Sequence, residues 1–171
     1  MALTQQLARV SPQYLARCRR TAEDSPGKAP GWDPPDRDTL DLGWALWGLA
    51  RFFRRAGVDA VLTAALERSF SGGSADDAGF LDHPTVHDGF DDPPALLAPA
   101  AVSEICRVLG TADIDEVLEL LPRDGEEAAK MCGFGGFSGD LAAYLRGHFT
   151  ALRGFYADAS ARGLAVVAWV D

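Results

Sequence analysis

The amino-acid sequence predicts an α/β fold of the mixed α+β kind: a small mixed sheet including both terminal strands, packed with several helices in one domain over residues 1–171. Three observations lead there. LAVVAWV, residues 164–170, is short and rich in β-branched and aromatic residues, the composition of a half-buried strand. Residues 3–10 also read as a strand, with Leu3 and Leu7 on one side and Ala8 and Val10 on the other, in imperfect alternation. Between these ends, apolar residues recur at helical spacing in one segment after another.

The segment around which the others are organised is Leu40 to Arg55, LDLGWALWGLARFFRR. At helical spacing Leu42, Ala45, Leu49 and Phe52 share one face, Leu46, Leu49 and Phe53 the next, and Trp44, Trp47 and Arg51 a third. A helix apolar almost all round is covered on most sides, which predicts a central position. Asp41 is the candidate N-cap, Arg54 and Arg55 suit the negative end of the helix dipole, and Gly57 suits the C-terminal turn. Trp44 and Trp47 read as core packing, or else as rings that line a pocket and stack on a ligand.

The other elements follow from local chemistry. Ser11 caps a helix with Pro12 in its first turn, running to Arg20 with Tyr14, Leu15 and Cys18 inward. Residues 21–38 hold Pro26, Pro30, Pro34 and Pro35 with Gly27 and Gly31, and are expected to form an irregular surface excursion pinned by Trp32. Asp59 caps a second helix carrying Val61, Leu62, Ala65 and Leu66 inward. Residues 71–94 form a long acidic loop, the kind of segment in which function is sought. Leu96 and Leu97 form a short strand before a Pro99 helix with Val102, Ile105 and Leu109 buried. Thr111 or Asp113 caps a helix bearing Ile114, Val117, Leu118 and Leu121, and a shorter helix spans Glu126 to Met131. Ser138 or Asp140 starts the last helix, with Leu141, Tyr144, Leu145, His148, Leu152, Phe155 and Ala159 on one face and Gly163 at its end.

Composition narrows the function. A hydrophobic fraction of 47% and a charged fraction of 24% are those of an ordinary globular chain. A net charge of −9 argues against nucleic-acid binding and against attraction to anionic membranes, and suits a basic protein partner. Cys18, Cys106 and Cys132 are odd in number and widely spaced, as expected of free thiols in a reducing compartment. Neither a basic leader with an apolar core nor an apolar run near the roughly 20 residues of a membrane span is present, and a cytoplasmic location is expected.

Three constellations are candidates for chemistry. In DHPTVHDGFDD, residues 82–92, His83 and His87 lie four apart among Asp82, Asp88, Asp91 and Asp92, a donor set suited to a metal with an open position. Pro84, Gly89, Pro93 and Pro94 interrupt the helix that spacing would need, and the reading taken is a solvated loop without metal. GFGGFSG, residues 133–139, has the glycines of a phosphate-binding turn but lacks the Lys and Ser/Thr of a P-loop. Phe134 and Phe137 are read instead as pinning the loop to the core, or as further ligand-binding aromatics beside Phe90. His148, within an apolar stripe, is read as a satisfied core histidine. No nucleophile elbow, cofactor fingerprint or metal motif accompanies these residues, and no cofactor is expected.

Three stretches together resemble the YfbM-like family, small bacterial proteins carrying a domain of unknown function. LDLGWALWGLARFF is similar to an acidic start followed by a Trp-bearing helix, without the His commonly found there. GFDDPPALLAPAAVSEICRVL resembles a Gly-aromatic-Gly-Pro turn leading into a strand and a capped helix, with two Asp in place of a Gly. RGHFTALRGFYADASARGLAVVAWV is similar to the closing helix and strand. The resemblance implies a sandwich-like fold with both terminal strands in one sheet, and no established reaction. The leading expectation is a non-catalytic binding module for a protein partner or a small ligand. The alternative is an enzyme with a pocket between the Trp44/Trp47 helix and the 79–94 loop, using His83 or His87 with Asp88.

Overall fold

The computed structural model describes residues 4–72, 78–88 and 92–171. Its strands are β1 (Gln5–Val10), β2 (Thr39–Asp41), β3 (Ala95–Leu97) and β4 (Ala165–Val170). Its helices are α1 (Pro12–Asp24), α2 (Ala45–Ala56), α3 (Ala60–Ser71), α4 (Pro99–Gly110), α5 (Ile114–Leu118), α6 (Gly125–Cys132) and α7 (Leu141–Ala161). The strands form one sheet in the order β2-β1-β4-β3, so the two terminal strands are its centre. Every pairing is antiparallel rather than mixed.

The register sorts the side chains between two faces. Leu7 pairs with Ala168, and Leu97 with Val166, so these side chains share one face with Gln5 and Val170. That face carries the main core, built with Leu46, Leu49, Phe53, Leu66, Leu109 and Phe149 from the helices. Val10 and Val167 point to the other face, where Leu81, Val86, Trp32 and Trp169 make a smaller cluster under α1. Trp32 pins the excursion as expected: its ring meets Tyr14 at 5.7 Å and Trp169 at 6.0 Å, both edge to face. Among the described residues, no helix is long and apolar enough to cross a membrane.

Local chemistry sets most boundaries. Asp59, Asp113 and Asp140 each accept backbone N–H groups at the start of α3, α5 and α7. Gly57 closes α2 with φ at +68°, its N–H donating to the Phe53 carbonyl. Some boundaries differ from expectation. Helix α1 runs through Thr21 to Asp24 into the Pro-rich segment, ending only at Ser25, which Pro26 holds in extended backbone. Helix α2 starts at Ala45 rather than beside Asp41, because Gly43 takes a positive φ of +53°. Asp41 belongs to β2, and its carboxylate accepts the Gly43 N–H at 2.8 Å. Leu42 is fully buried all the same. On α3, Leu62, Ala65 and Leu66 are buried, whereas Val61 faces solvent, 63% exposed. On α7 the buried stripe includes Phe149 and Tyr156, with Tyr144 and His148 at its edge.

An ion network fastens the sheet to the end of α7. The carboxylate of Asp38, 6% exposed, receives Arg9 Nε at 3.0 Å and an Arg162 nitrogen at 2.9 Å, and Arg162 also meets Asp158 at 2.7 Å. Burial acts to raise the Asp38 carboxyl, but the two guanidinium groups outweigh it and hold the carboxyl below its ordinary value.

Candidate functional site

The start of α2 carries two indoles on one turn. Trp44 is the N-cap residue, 44% exposed, and its ring lies 4.7 Å from that of Trp47. Trp47 is half-buried and forms one wall of a cavity of about 160 Å³. The cavity opens at one end of the sheet, on the face that carries the main core. Ala168 and Ala95 line it from β4 and β3, Phe70 and Ser71 from the last turn of α3, and Asp92 from the segment before β3.

Gln5 supplies its central polar group. The residue begins β1, where it pairs with Val170. Its backbone N–H donates to the Gly43 carbonyl at 3.0 Å, and its carbonyl accepts the Leu42 N–H at 2.9 Å. These bonds tie Gln5 to the chain that leads into α2, so Gln5 and Trp47 are held on one scaffold. Gln5 is 2% exposed, and its side-chain Oε1 has no hydrogen-bond partner. A buried acceptor without a donor costs on the order of 1–3 kcal/mol, a cost that a donor from water or a ligand removes. Ser71 Oγ donates to the Glu67 carbonyl at 2.8 Å, which leaves its lone pairs to accept.

The sequence-derived candidates fall into separate places. Trp47 lines the cavity, and Trp44 packs on Trp47 from outside. His83, His87 and Asp88 do not line it. His87, 5% exposed, sits with Nε2 3.1 Å from Asp82 Oδ1, adjoining Val86 in the cluster on the opposite face of the sheet. His83 places Nδ1 2.8 Å from Thr85 Oγ1 and Nε2 3.1 Å from the Gly27 carbonyl. The backbone N–H of Asp88 donates to Asp171 Oδ1 at 3.0 Å. Among the described residues, no group of three or more His, Cys, Asp or Glu side chains is placed to hold a metal ion. Phe90 lies outside the described residues.

Phe134 and Phe137 belong to a second aromatic cluster, over the other side of α2. Their rings stack at 5.9 Å, and each meets Tyr144, which in turn meets His148 at 4.6 Å. Both phenylalanines pack on the main core, as the pinning reading of the glycine-rich loop expects. Burial lowers the His148 pKa, opposed in part by the nearby Asp41 carboxylate. Burial raises the Tyr144 hydroxyl, with a hydrogen bond to the Trp44 backbone acting against it.

Gln5, Phe70 and Ser71 are not legible as part of a site in the sequence. One signal was present: Gln5 lies in phase with Leu3 and Leu7, a polar side chain on the apolar side of the first strand. Helix α3 offers no such cue, because the approach of Phe70 to Trp47 is long-range, whereas Asp92 belongs to the 79–94 loop that the alternative reading sets beside the Trp helix.

No family profile matches the chain, and no curated protein matches it. Among solved structures the chain is similar to the protein of unknown function YfbM from Escherichia coli, at a TM-score of 0.58 and 13% identity, over 98% of this chain and 99% of that one. The chain therefore has a YfbM-like fold, in agreement with the resemblance read from its sequence.

Proposed function

We propose that the protein is a non-catalytic binding module, working in the cytoplasm, whose ligand seats in the cavity between Trp47 and Gln5. The observation that carries this reading is the unpaired Oε1 of Gln5. It is a buried polar atom on a residue whose backbone N–H and carbonyl are both bonded to the chain leading into α2, at a cavity walled by Trp47 and Phe70. Apolar walls with a few fixed polar groups are the usual make-up of a small-ligand pocket. A cavity of about 160 Å³ takes a small molecule or one side chain of a protein partner. The net charge of −9 favours a basic partner for the second case.

The test is a fragment library of neutral, anionic and cationic members, read by amide and indole chemical shifts of the labelled protein. Binders are expected to shift the Trp47 indole N–H and the Gln5 side-chain amide together. If fragments of every charge class leave both signals unmoved, the cavity is not a binding site.

A further inference from the structure

We propose that the Trp47 cavity takes an alkylammonium group, as carried by a small aliphatic amine or by a lysine side chain. This rests on the cavity being a binding site and adds the chemical class of what it binds.

The polar atoms at the cavity define that class. Two buried polar atoms of the lining residues lack a partner in the protein: Gln5 Oε1, an acceptor, and the indole Nε1–H of Trp169, a donor. Ser71 has committed its proton to Glu67, so its hydroxyl oxygen accepts. Asp92 is exposed at the cavity edge, and an ionised carboxylate only accepts. Among the described residues, no Lys, Arg or His lines the cavity. A ligand group that satisfies the three oxygens of Gln5, Ser71 and Asp92 brings donors and positive charge, and leaves the Trp169 N–H unmet. An ammonium has three N–H donors and no acceptor.

The walls agree. Trp47 and Phe70 give aromatic surface, and the face of an aromatic ring attracts a cation. Size agrees as well: a cavity of about 150 Å³ in another protein accommodates benzene, a molecule of about six heavy atoms. The volume of about 160 Å³ here suits a four- or five-carbon amine with its nitrogen toward Gln5 and Asp92.

The experiment titrates the full chain with n-pentylammonium, n-pentanol and pentanoate, and with an Nα-acetyl-lysine amide, following the Trp47 indole N–H. Pentylammonium is expected to bind at least tenfold more tightly than pentanol, with pentanoate not binding. Gln5→Glu is expected to tighten pentylammonium binding, and Asp92→Asn, at an exposed position, to weaken it severalfold and reduce its salt dependence. A lysine amide tighter than pentylammonium identifies a protein partner as the source of the group. The reverse order identifies a free amine. Either order supports the proposal. Pentanol or pentanoate binding as tightly as pentylammonium overturns it while leaving the cavity a binding site. An Asp92→Asn variant with unchanged pentylammonium affinity also overturns it. If none of the four probes binds, the ammonium assignment is overturned, and the fragment library then decides whether the cavity binds anything.

Discussion

Phe134 lies directly on the α-carbon of Gly48 in the middle of α2: a Cβ built there would overlap the ring Cζ and lie 2.6 Å from Cε2. A glycine inside a helix costs about 1 kcal/mol relative to alanine, and here that cost secures the close approach of an aromatic ring. Gly48→Ala should therefore destabilise the protein despite its better helix propensity, by about 1–2 kcal/mol after the overpacking of the ring is set against that gain. Urea unfolding decides it. Adding Phe134→Leu to Gly48→Ala should recover part of the loss, and a Gly48→Ala protein as stable as the parent would refute the contact.

Tyr156 is fully buried and donates its hydroxyl to the Ser69 carbonyl at 2.6 Å, joining α7 to the last turn of α3. Helix ends leave their final carbonyls without partners in the helix, and this is one of them. Tyr156→Phe keeps the packing and removes the donor, so a loss of about 1–3 kcal/mol is expected from the buried carbonyl alone. A thermal midpoint equal to that of the parent would show that water reaches Ser69. Burial pushes the Tyr156 hydroxyl pKa far up, so this bond is expected to persist at alkaline pH, where exposed tyrosines ionise.

The Asp38 network predicts acid sensitivity of a defined sign. The folded carboxyl titrates below its unfolded value, because the Arg162 and Arg9 contacts outweigh the raising effect of burial. Its contribution is therefore complete above the unfolded pKa, near 3.9, and is withdrawn as pH falls through the lower folded value. Asp38→Asn should be less stable than the parent at neutral pH, with the gap closing as the pH is taken from about 7 to about 2. Denaturation midpoints measured for the pair across that range check it. A gap that stays constant would mean the ion pairs contribute nothing to folding.

The three thiols should differ in reactivity. Cys18 and Cys132 are 1% and 2% exposed, and burial raises both, Cys132 to about 11. Cys106 is half-buried on α4. A disulfide reagent applied to the native protein should label Cys106 first, with Cys18 and Cys132 reacting only as the fold opens. Cys106→Ser should abolish the fast phase. A fast phase that survives in that variant would place an accessible thiol where the structure has a buried one.

What the sequence disclosed depended on how local the cause was. Ser11 and Asp59 are readable as caps, and Asp113 and Asp140 as one of two candidates each, because a cap bonds within three residues of itself. β4 was readable because its composition suits a strand in almost any setting. The start of α2 was misplaced because a positive φ at Gly43 competes with a good capping residue two positions earlier, and the tertiary approach of the Tyr144 hydroxyl, 3.2 Å from where a Gly43 Cβ would stand, favours glycine there. β2 has three residues and no pattern of its own; it exists because β1 offers it an edge. Trp47 is a candidate in the sequence and lines the cavity, and of its partners only Asp92 falls in a segment, the 79–94 loop, that the sequence sets beside it. Gln5 is 42 positions earlier and Asp92 is 45 later, and nothing in periodicity connects them.

The pairing at the middle of the sheet also has a kinetic side. Thr4 and Asp171 exchange both backbone hydrogen bonds, at 2.7 and 3.0 Å, across 167 positions of chain. Closing a loop of that length is entropically costly and must precede any of the contacts that repay it. During synthesis β1 can pair with β2 early, yet its other edge stays open until residues 165–170 leave the ribosome. Until then β1 carries an exposed strand edge, ready to pair with another chain. Slow, late closure and a strong dependence of yield on expression temperature are the expected behaviour, and deleting residues 165–170 should leave a chain that aggregates rather than a smaller folded protein.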